Sequence, residues 1–442
     1  MPDKTSRRPG SVRVTVADAE RRRGVSRRLI VHIGVYVLAS ILAAAAVVVG
    51  VRLIGATAAD QADAAESALD PRTLALPAGT TGAVPGSTRL ELLGPVTLLD
   101  SRRAGGRPLA PGASAPLKLP ALPAGASALL LEVSLTAATG PGAVTIDTQA
   151  GQVTALRVPA ARAQRSATIV VGVGSDGEAL ARTGGGGHLL VNLVGAFQPV
   201  EEATSGRIVV VPPTQVLRLV PDTDGKDATI DLSRVPAVRK AGTIGAALLH
   251  ISADVGRRGG FVALGDSAKK LDQRVFWMAT SGADRTREGF LVVPVTDGKV
   301  SLHYQAGELL TANLVGYVTG EGAASQVAGL VVPVKPGAGE PVPVVAGKQT
   351  DVTVIPPAGI DGVPADRVTA VLLAVSASSD GPARLAVFPP DSKPPADPVL
   401  NTAAGPERQT LTPVRTVAGA VRVTSATGAS VSLVPQAVIL TG

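Results

Sequence analysis

The chain has 442 residues, room for two to four domains of roughly 100–200 residues each, and 45% of it is hydrophobic although only 2% is aromatic. It contains no cysteine, which excludes a disulfide framework, cysteine-ligated zinc, iron–sulfur clusters and a thiol nucleophile. The net charge of +7 would suit nucleic acid, but residues 1–28 carry nine basic residues against three acidic ones, so six of the seven charges belong to that tail. The remainder is close to neutral, and no nucleic-acid partner is expected.

In chain order, residues 1–28 read as a basic cytoplasmic tail and residues 29–52 as a transmembrane helix. Leu29 to Val51 is a run of 23 residues without formal charge, closed by Arg52. As a helix it would extend about 34 Å at about 1.5 Å per residue, enough for a bilayer core of about 30 Å. The basic residues before it place the amino terminus inside and the carboxy terminus on the extracytoplasmic side. Ala56-Thr57-Ala58 has the form of a cleavage site, but signal-peptide cores run only about 7–15 residues. An uncleaved signal-anchor is the stronger reading, and cleavage after Ala58 stays open. The tail could also hold anionic lipid head groups. Residues 53–88, rich in Ala, Pro and Gly, read as a linker.

Internal repeats organise the rest. Asn192-Leu193-Val194-Gly195-Ala196-Phe197 recurs as Asn313-Leu314-Val315-Gly316-Tyr317-Val318, and the chain closes on the similar Val438-Ile439-Leu440-Thr441-Gly442. Leu130-Leu131-Glu132-Val133-Ser134 recurs as Leu248-Leu249-His250-Ile251-Ser252 and as Leu372-Leu373-Ala374-Val375-Ser376. Three β modules follow: 89–198, 206–320 and 325–442. Short Val-rich runs cut by Gly and Pro read as strands and turns, and Asp297-Gly298 as a hairpin turn. The fold expected is mainly β: three tandem sandwich-like domains after one N-terminal transmembrane helix. A single threefold barrel is the alternative.

These signatures resemble a repeat module of exported actinobacterial envelope proteins, often found beside cell-wall or secreted hydrolase domains. Thr97-Leu98-Leu99-Asp100-Ser101-Arg102 is similar to that module's R-L-L-D-T-R opening. Pro123–Ser134 and Pro364–Ser376 resemble its centre, Leu400-Asn401 with Gln409-Thr410 a later stretch, and Asn192–Phe197 and Asn313–Val318 its D-V-x-G-Y-F close. The Ala/Gly/Val/Arg/Pro bias agrees with such a source. The resemblance implies a place in the cell envelope and brings no catalytic residue with it.

The remaining motifs carry little chemistry. Gly172-Val173-Gly174-Ser175-Asp176-Gly177 fits a dinucleotide fingerprint but lacks room for the helix that must follow, so a turn is expected. Ser267-Ala268-Lys269-Lys270 fits an acyl-enzyme motif without its partner elements. The four histidines are too far apart in sequence for a local metal pair, and His250, within an apolar strand, reads as a hydrogen-bonded histidine. No catalytic residue, metal or cofactor is assigned. Asp100 and Arg102, on one face of a strand, are candidate ligand contacts, with a local ion pair anchoring a turn as the stronger reading. Phe276, Trp277 and Tyr304 are the other candidate ligand-binding residues, since aromatics concentrate in the second module; a core role is favoured over that. The chain thus reads as a non-enzymatic, membrane-anchored envelope protein with a structural, adhesive or scaffold role and an envelope protein or wall polymer as partner. A module that binds wall glycan or lipid is the alternative, and an envelope hydrolase a weaker one.

Overall fold

The computed structural model describes residues 84–441, apart from 104–105, 175–176, 200–204, 221–225, 255–259, 266–274, 278–285, 306–307, 323–328, 338 and 403–404. The tail, the expected transmembrane helix and most of the linker lie outside the described residues, as does Ser267–Lys270. Among the described residues no helix is long and apolar enough to cross a membrane.

The runs of Val and Leu form strands, as their β-branched and alternating character dictates. In the first copy these are β1 (Thr88–Asp100), β2 (Ser114–Pro116), β3 (Ala128–Thr136), β4 (Gly142–Thr148), β5 (Gly151–Val158), β6 (Arg165–Gly172), β7 (Ala179–Thr183) and β8 (His188–Pro199). They pair as β1-β8-β3-β6 and β2-β7-β4-β5. The second copy holds β9 (Ile208–Leu219), β10 (Lys226–Asp231), β11 (Ile244–Asp254), β12 (Phe261–Gly265), β13 (Val275–Trp277), β14 (Thr286–Pro294), β15 (Lys299–Gln305) and β16 (Leu309–Thr319). These pair as β9-β16-β11-β14 and β10-β15-β12-β13.

The third copy holds β17 (Val331–Pro333), β18 (Val342–Val344), β19 (Gln349–Thr353), β20 (Val368–Ser379), β21 (Ala383–Phe388), β22 (Leu400–Thr402), β23 (Gly405–Arg415), β24 (Ala420–Ser425) and β25 (Ala429–Leu440). Its first strand is split in two, β17 and β18 both pairing with β25, because Pro336 and Pro341 with the glycines between them interrupt the ladder. The remaining order is β17-β25-β20-β23 and β19-β24-β21-β22. By position within a copy, every module has one sheet of order 1-8-3-6 and one of order 2-7-4-5. That is an eight-stranded jelly roll, two Greek keys folded into a sandwich.

Each sandwich has its own core drawn from both sheets, around Leu131 and Ile146 in the first, Leu249 and Leu302 in the second, and Leu373 and Val423 in the third. Independent cores were the expectation for tandem sandwiches. The structure adds a fourth core shared by all three modules. It repeats by threes: Ala128, Ala246 and Ala370; Leu130, Leu248 and Leu372; Leu90, Ile208 and Val331; Phe197, Val318 and Ile439. The large sheets therefore bury both faces, one inside their own sandwich and one against the other two modules. This explains why β3 is buried along nearly its whole length instead of at alternate residues.

The edge strands complete the arrangement. β6, β14 and β23 occupy the same position in the three copies, and each packs against the other two. Around them runs a closed ring: β5 packs on β23, β22 on β14 and β13 on β6, so the same strand of each module covers the same strand of the next. A head-to-tail contact repeated three times closes a ring, here within one chain, and defines a pseudo-threefold axis. The first strands also touch, Thr88 pairing with Val331 so that the large sheets of copies one and three form one nine-stranded sheet.

Three local expectations change. Residues 84–88 are not linker: Val84 packs on the core of copy three and Thr88 Oγ1 donates to the Val331 carbonyl at 2.6 Å. Asp297-Gly298 does form a tight turn, with φ of 51° and 71° and reciprocal bonds between Thr296 and Lys299. It does not close a hairpin, because β14 stays in the large sheet and β15 crosses to the small one. The close of copy three is also offset by one residue: Ala370 pairs with Ile439 where Ala246 pairs with Val318. The equivalent of Val318 is therefore Ile439, not Leu440.

Candidate functional site

Two of the aromatic residues singled out in the sequence, Phe276 and Tyr304, lie in the interior. Phe276 is 3% exposed and Tyr304 fully buried, both in the core of the second module. Phe276 lies over Gly289 of β14, where any Cβ would collide with the ring. The Tyr304 hydroxyl donates to the Asp254 carbonyl at 3.1 Å, and burial pushes its pKa up, so it stays protonated. Trp277 pairs through its backbone with Phe261 at the edge of the small sheet. Phe276 and Tyr304 thus fill the core of the second module, the tyrosine with its hydroxyl satisfied.

Asp100 and Arg102 do meet. The Arg102 guanidinium grips the carboxylate with two of its nitrogens, Nε to Oδ1 at 2.8 Å and Nη2 to Oδ2 at 3.0 Å, and the Arg102 amide donates to Oδ1 at 3.0 Å. Arg103 adds a third contact at 3.3 Å. This geometry ties the turn that leaves β1, and it holds the Asp100 carboxyl below its usual range, first through the Arg102 hydrogen bond. In the glycine-rich stretch after β6 the Gly177 N–H donates to the Gly174 carbonyl, and strand β7 begins at Ala179.

The structure brings together a different set. A cavity of about 40 Å³ is lined by Leu156, Arg157, Arg165, Ser166, Phe276, Arg287, Glu288, Leu400, Arg408 and Gln409. All three modules contribute, and by threes. Arg165 pairs with Leu135, Arg287 with Ala253 and Arg408 with Ala377, equivalent places beside the third strand of each copy. Ser166, Glu288 and Gln409 follow them. Leu156, Phe276 and Leu400 are the equivalent apolar residues of the neighbouring strand. The cavity therefore lies on the pseudo-threefold axis, at the amino-terminal ends of β6, β14 and β23.

Four arginines and one glutamate stand among the described lining residues. Arg287 and Arg408 are only 6% and 9% exposed. Glu288 accepts from the Asn401 amide at 2.9 Å and from the Asn401 side chain. Burial raises its pKa, against the pull of those bonds and of Arg408 and Arg287. The Arg408 guanidinium donates to the Asn401 carbonyl, and Arg157 pairs with Glu407 at 2.9 Å. Gln409 donates to the Thr154 carbonyl across the module boundary at 3.0 Å.

Nothing in the sequence reading pointed to these arginines. The signal existed, since Arg occupies the same strand position in all three copies while the next residue changes. However, the spacing from the Leu-Leu-x-x-Ser signature differs in each copy, so the match shows only once the strands are paired.

No family model matches the chain, and no curated protein does. Among solved structures, a protein described under "The Triple Jelly Roll Fold and Turret Assembly in an Archaeal Virus" aligns with 81% of this chain and 90% of its own length, at 9% identity and a TM-score of 0.18. A superposition that loose bears on neither fold nor function.

Proposed function

We propose that the chain is a membrane-anchored scaffold of the cell envelope, without enzymatic activity of its own, holding three jelly-roll modules outside the membrane as one rigid head. The observation that carries this reading is the fourth core. Three modules joined only by linkers would move independently, as domains with small interfaces do. Here their large sheets are sealed against one another, and the small sheets are left facing outward. Those outward sheets are solvated: Asp147 pairs with Arg182, Asp227 with His303 and Asp351 with Arg422 on their surfaces. Such a head offers three related polar faces in a fixed geometry, which suits docking of an envelope protein or a wall polymer. The basic tail and the uncharged run of residues 29–51 supply the anchor in this reading.

Topology and partnership test it together. A reporter fused after Gly442 should be active only outside the cytoplasm, and protease added to spheroplasts should remove the head. Activity of a cytoplasm-only reporter at that position overturns the proposal. Crosslinking the outward faces in whole cells should then capture an envelope component rather than a cytoplasmic one.

A further inference from the structure

We propose that residues 389–399 of the third module form an acid-released strap, docked on the second module at neutral pH and let go when the imidazole of His250 takes up a proton. Three observations carry it. The first is placement. His250 lies on the face of β11 turned away from its own sandwich: Leu249 and Ile251 fill the core of module two, while Leu248 enters the shared core. It is 3% exposed, and its Nε2 lies 2.8 Å from the Val399 carbonyl. A carbonyl only accepts, so that nitrogen carries the proton of the neutral ring. The second is the strap itself. In copy one Gln149 and Ala150 alone join β4 to β5, whereas in copy three the same connection runs from Pro389 to Val399 and also holds Pro390, Pro394, Pro395 and Pro398. Prolines stiffen such a segment, so it docks and leaves as a piece. The third is its grip. Asn313, the cross-strand neighbour of His250 on β16, donates to the Asp397 carboxylate at 2.9 Å, so the two side chains hold the strap side by side.

The groups around the imidazole decide the sign. β16 offers the uncharged Asn313, β14 places Phe290 opposite His250 and Glu288 opposite Ser252, and the strap brings Asp397. Glu288 is engaged by Asn401, whose carbonyl accepts from the Arg408 guanidinium. β6 contributes Thr168, which donates to the Phe290 carbonyl. Burial opposes the imidazolium more than the Val399 carbonyl and Asp397 favour it, and the pKa falls below 6.5. The stability that the neutral ring gives the docked strap is therefore complete above pH 6.5 and lost as pH falls toward the folded value. Letting the strap go brings water to the charged ring and exposes little apolar surface, since of residues 389–399 only Pro398 and Val399 are buried.

The chain has no cysteine, so one nitroxide label can be placed at a chosen position. The full chain in detergent is labelled through Ala396→Cys, an exposed place on the strap, or through Gln152→Cys, an exposed place on module one, and spin-label spectra are recorded from pH 8 to pH 4. The strap label should pass reversibly from slow to fast motion below pH 6.5, with a severalfold drop in rotational correlation time, while the label on module one and the far-ultraviolet circular dichroism stay unchanged. His250→Gln, which can still donate to Val399, should keep the strap label slow over the whole range. Asp397→Asn keeps an oxygen to accept from Asn313 but removes a charge that favours the imidazolium, and should move the midpoint to lower pH. The proposal is overturned if the strap label does not change, if both labels loosen together, or if His250→Gln releases the strap at the parent's pH. Should His250→Gln fail to fold, Asp397→Asn decides in its place: a lowered midpoint supports the histidine, and an unmoved midpoint or a strap released at every pH overturns it.

Discussion

A methyl group on Gly316 would lie 2.6 Å from the Val209 carbonyl oxygen, and one on Gly195 would lie 2.6 Å from that of Glu91. This is the physical content of the repeated Asn-Leu-Val-Gly motif: the first strand of the module crosses the last one too closely for any side chain. Gly316→Ala should cost about 1–3 kcal/mol, the usual penalty of overpacking, in urea unfolding. His250 is a second point where chemistry and packing meet. It is 3% exposed, and its Nε2 lies 2.8 Å from the Val399 carbonyl of the third module. Burial lowers its pKa from 6.5, so the unfolded chain takes up the proton more readily than the folded one. Its contribution to stability is therefore complete above pH 6.5 and lost as pH falls below it toward the folded value. The melting temperature should drop along that range, and His250→Gln, which can still donate to Val399, should flatten the profile. Phe276→Ala should cost about 3–5 kcal/mol as a core truncation, where a surface ring would cost far less.

At the scale of elements, the last strand of every module carries a bulge at the same place. Leu130 and Leu131 pair with Gly195 and Leu193, Leu248 and Leu249 with Gly316 and Leu314, Leu372 and Leu373 with Ala437 and Pro435. The skipped residues are Val194, Val315 and Gln436. Bulges re-aim side chains, and here two enter the shared core while Gln436 Oε1 accepts from the Val170 amide of β6 at 2.8 Å. That bond caps an edge strand which has no ladder partner on that side. Gln436→Ala should leave the buried amide unsatisfied and cost about 1–3 kcal/mol; the same substitution at exposed Gln152 should be near neutral. Strand content and the threefold repeat were readable in the sequence, because Val, Leu, Gly and Pro speak through local propensity. Sheet crossing at Asp297-Gly298, the bulges and the arginine ring were not. They depend on which strand lies next to which, and a jelly roll pairs its first strand with its eighth.

At the scale of the whole molecule, Gly79–Gly442 is one compact unit, and its modules meet on a core that draws residues from all three. Leu90, Leu130, Phe197, Leu248, Phe290 and Leu372 are buried together in the core that the three modules share, and full burial of a side chain of this size contributes about 1.5–3 kcal/mol. Alternation in a strand conceals this, since a sheet buried on both faces reads as one continuous apolar run. Scanning calorimetry of the intact chain tests the shared core most directly, together with Leu248→Asp on the axial face of the second module. The account predicts one transition, with equal calorimetric and van't Hoff enthalpies, that moves down as a whole in the variant. Three separate transitions, or a shift confined to one of them, would contradict it.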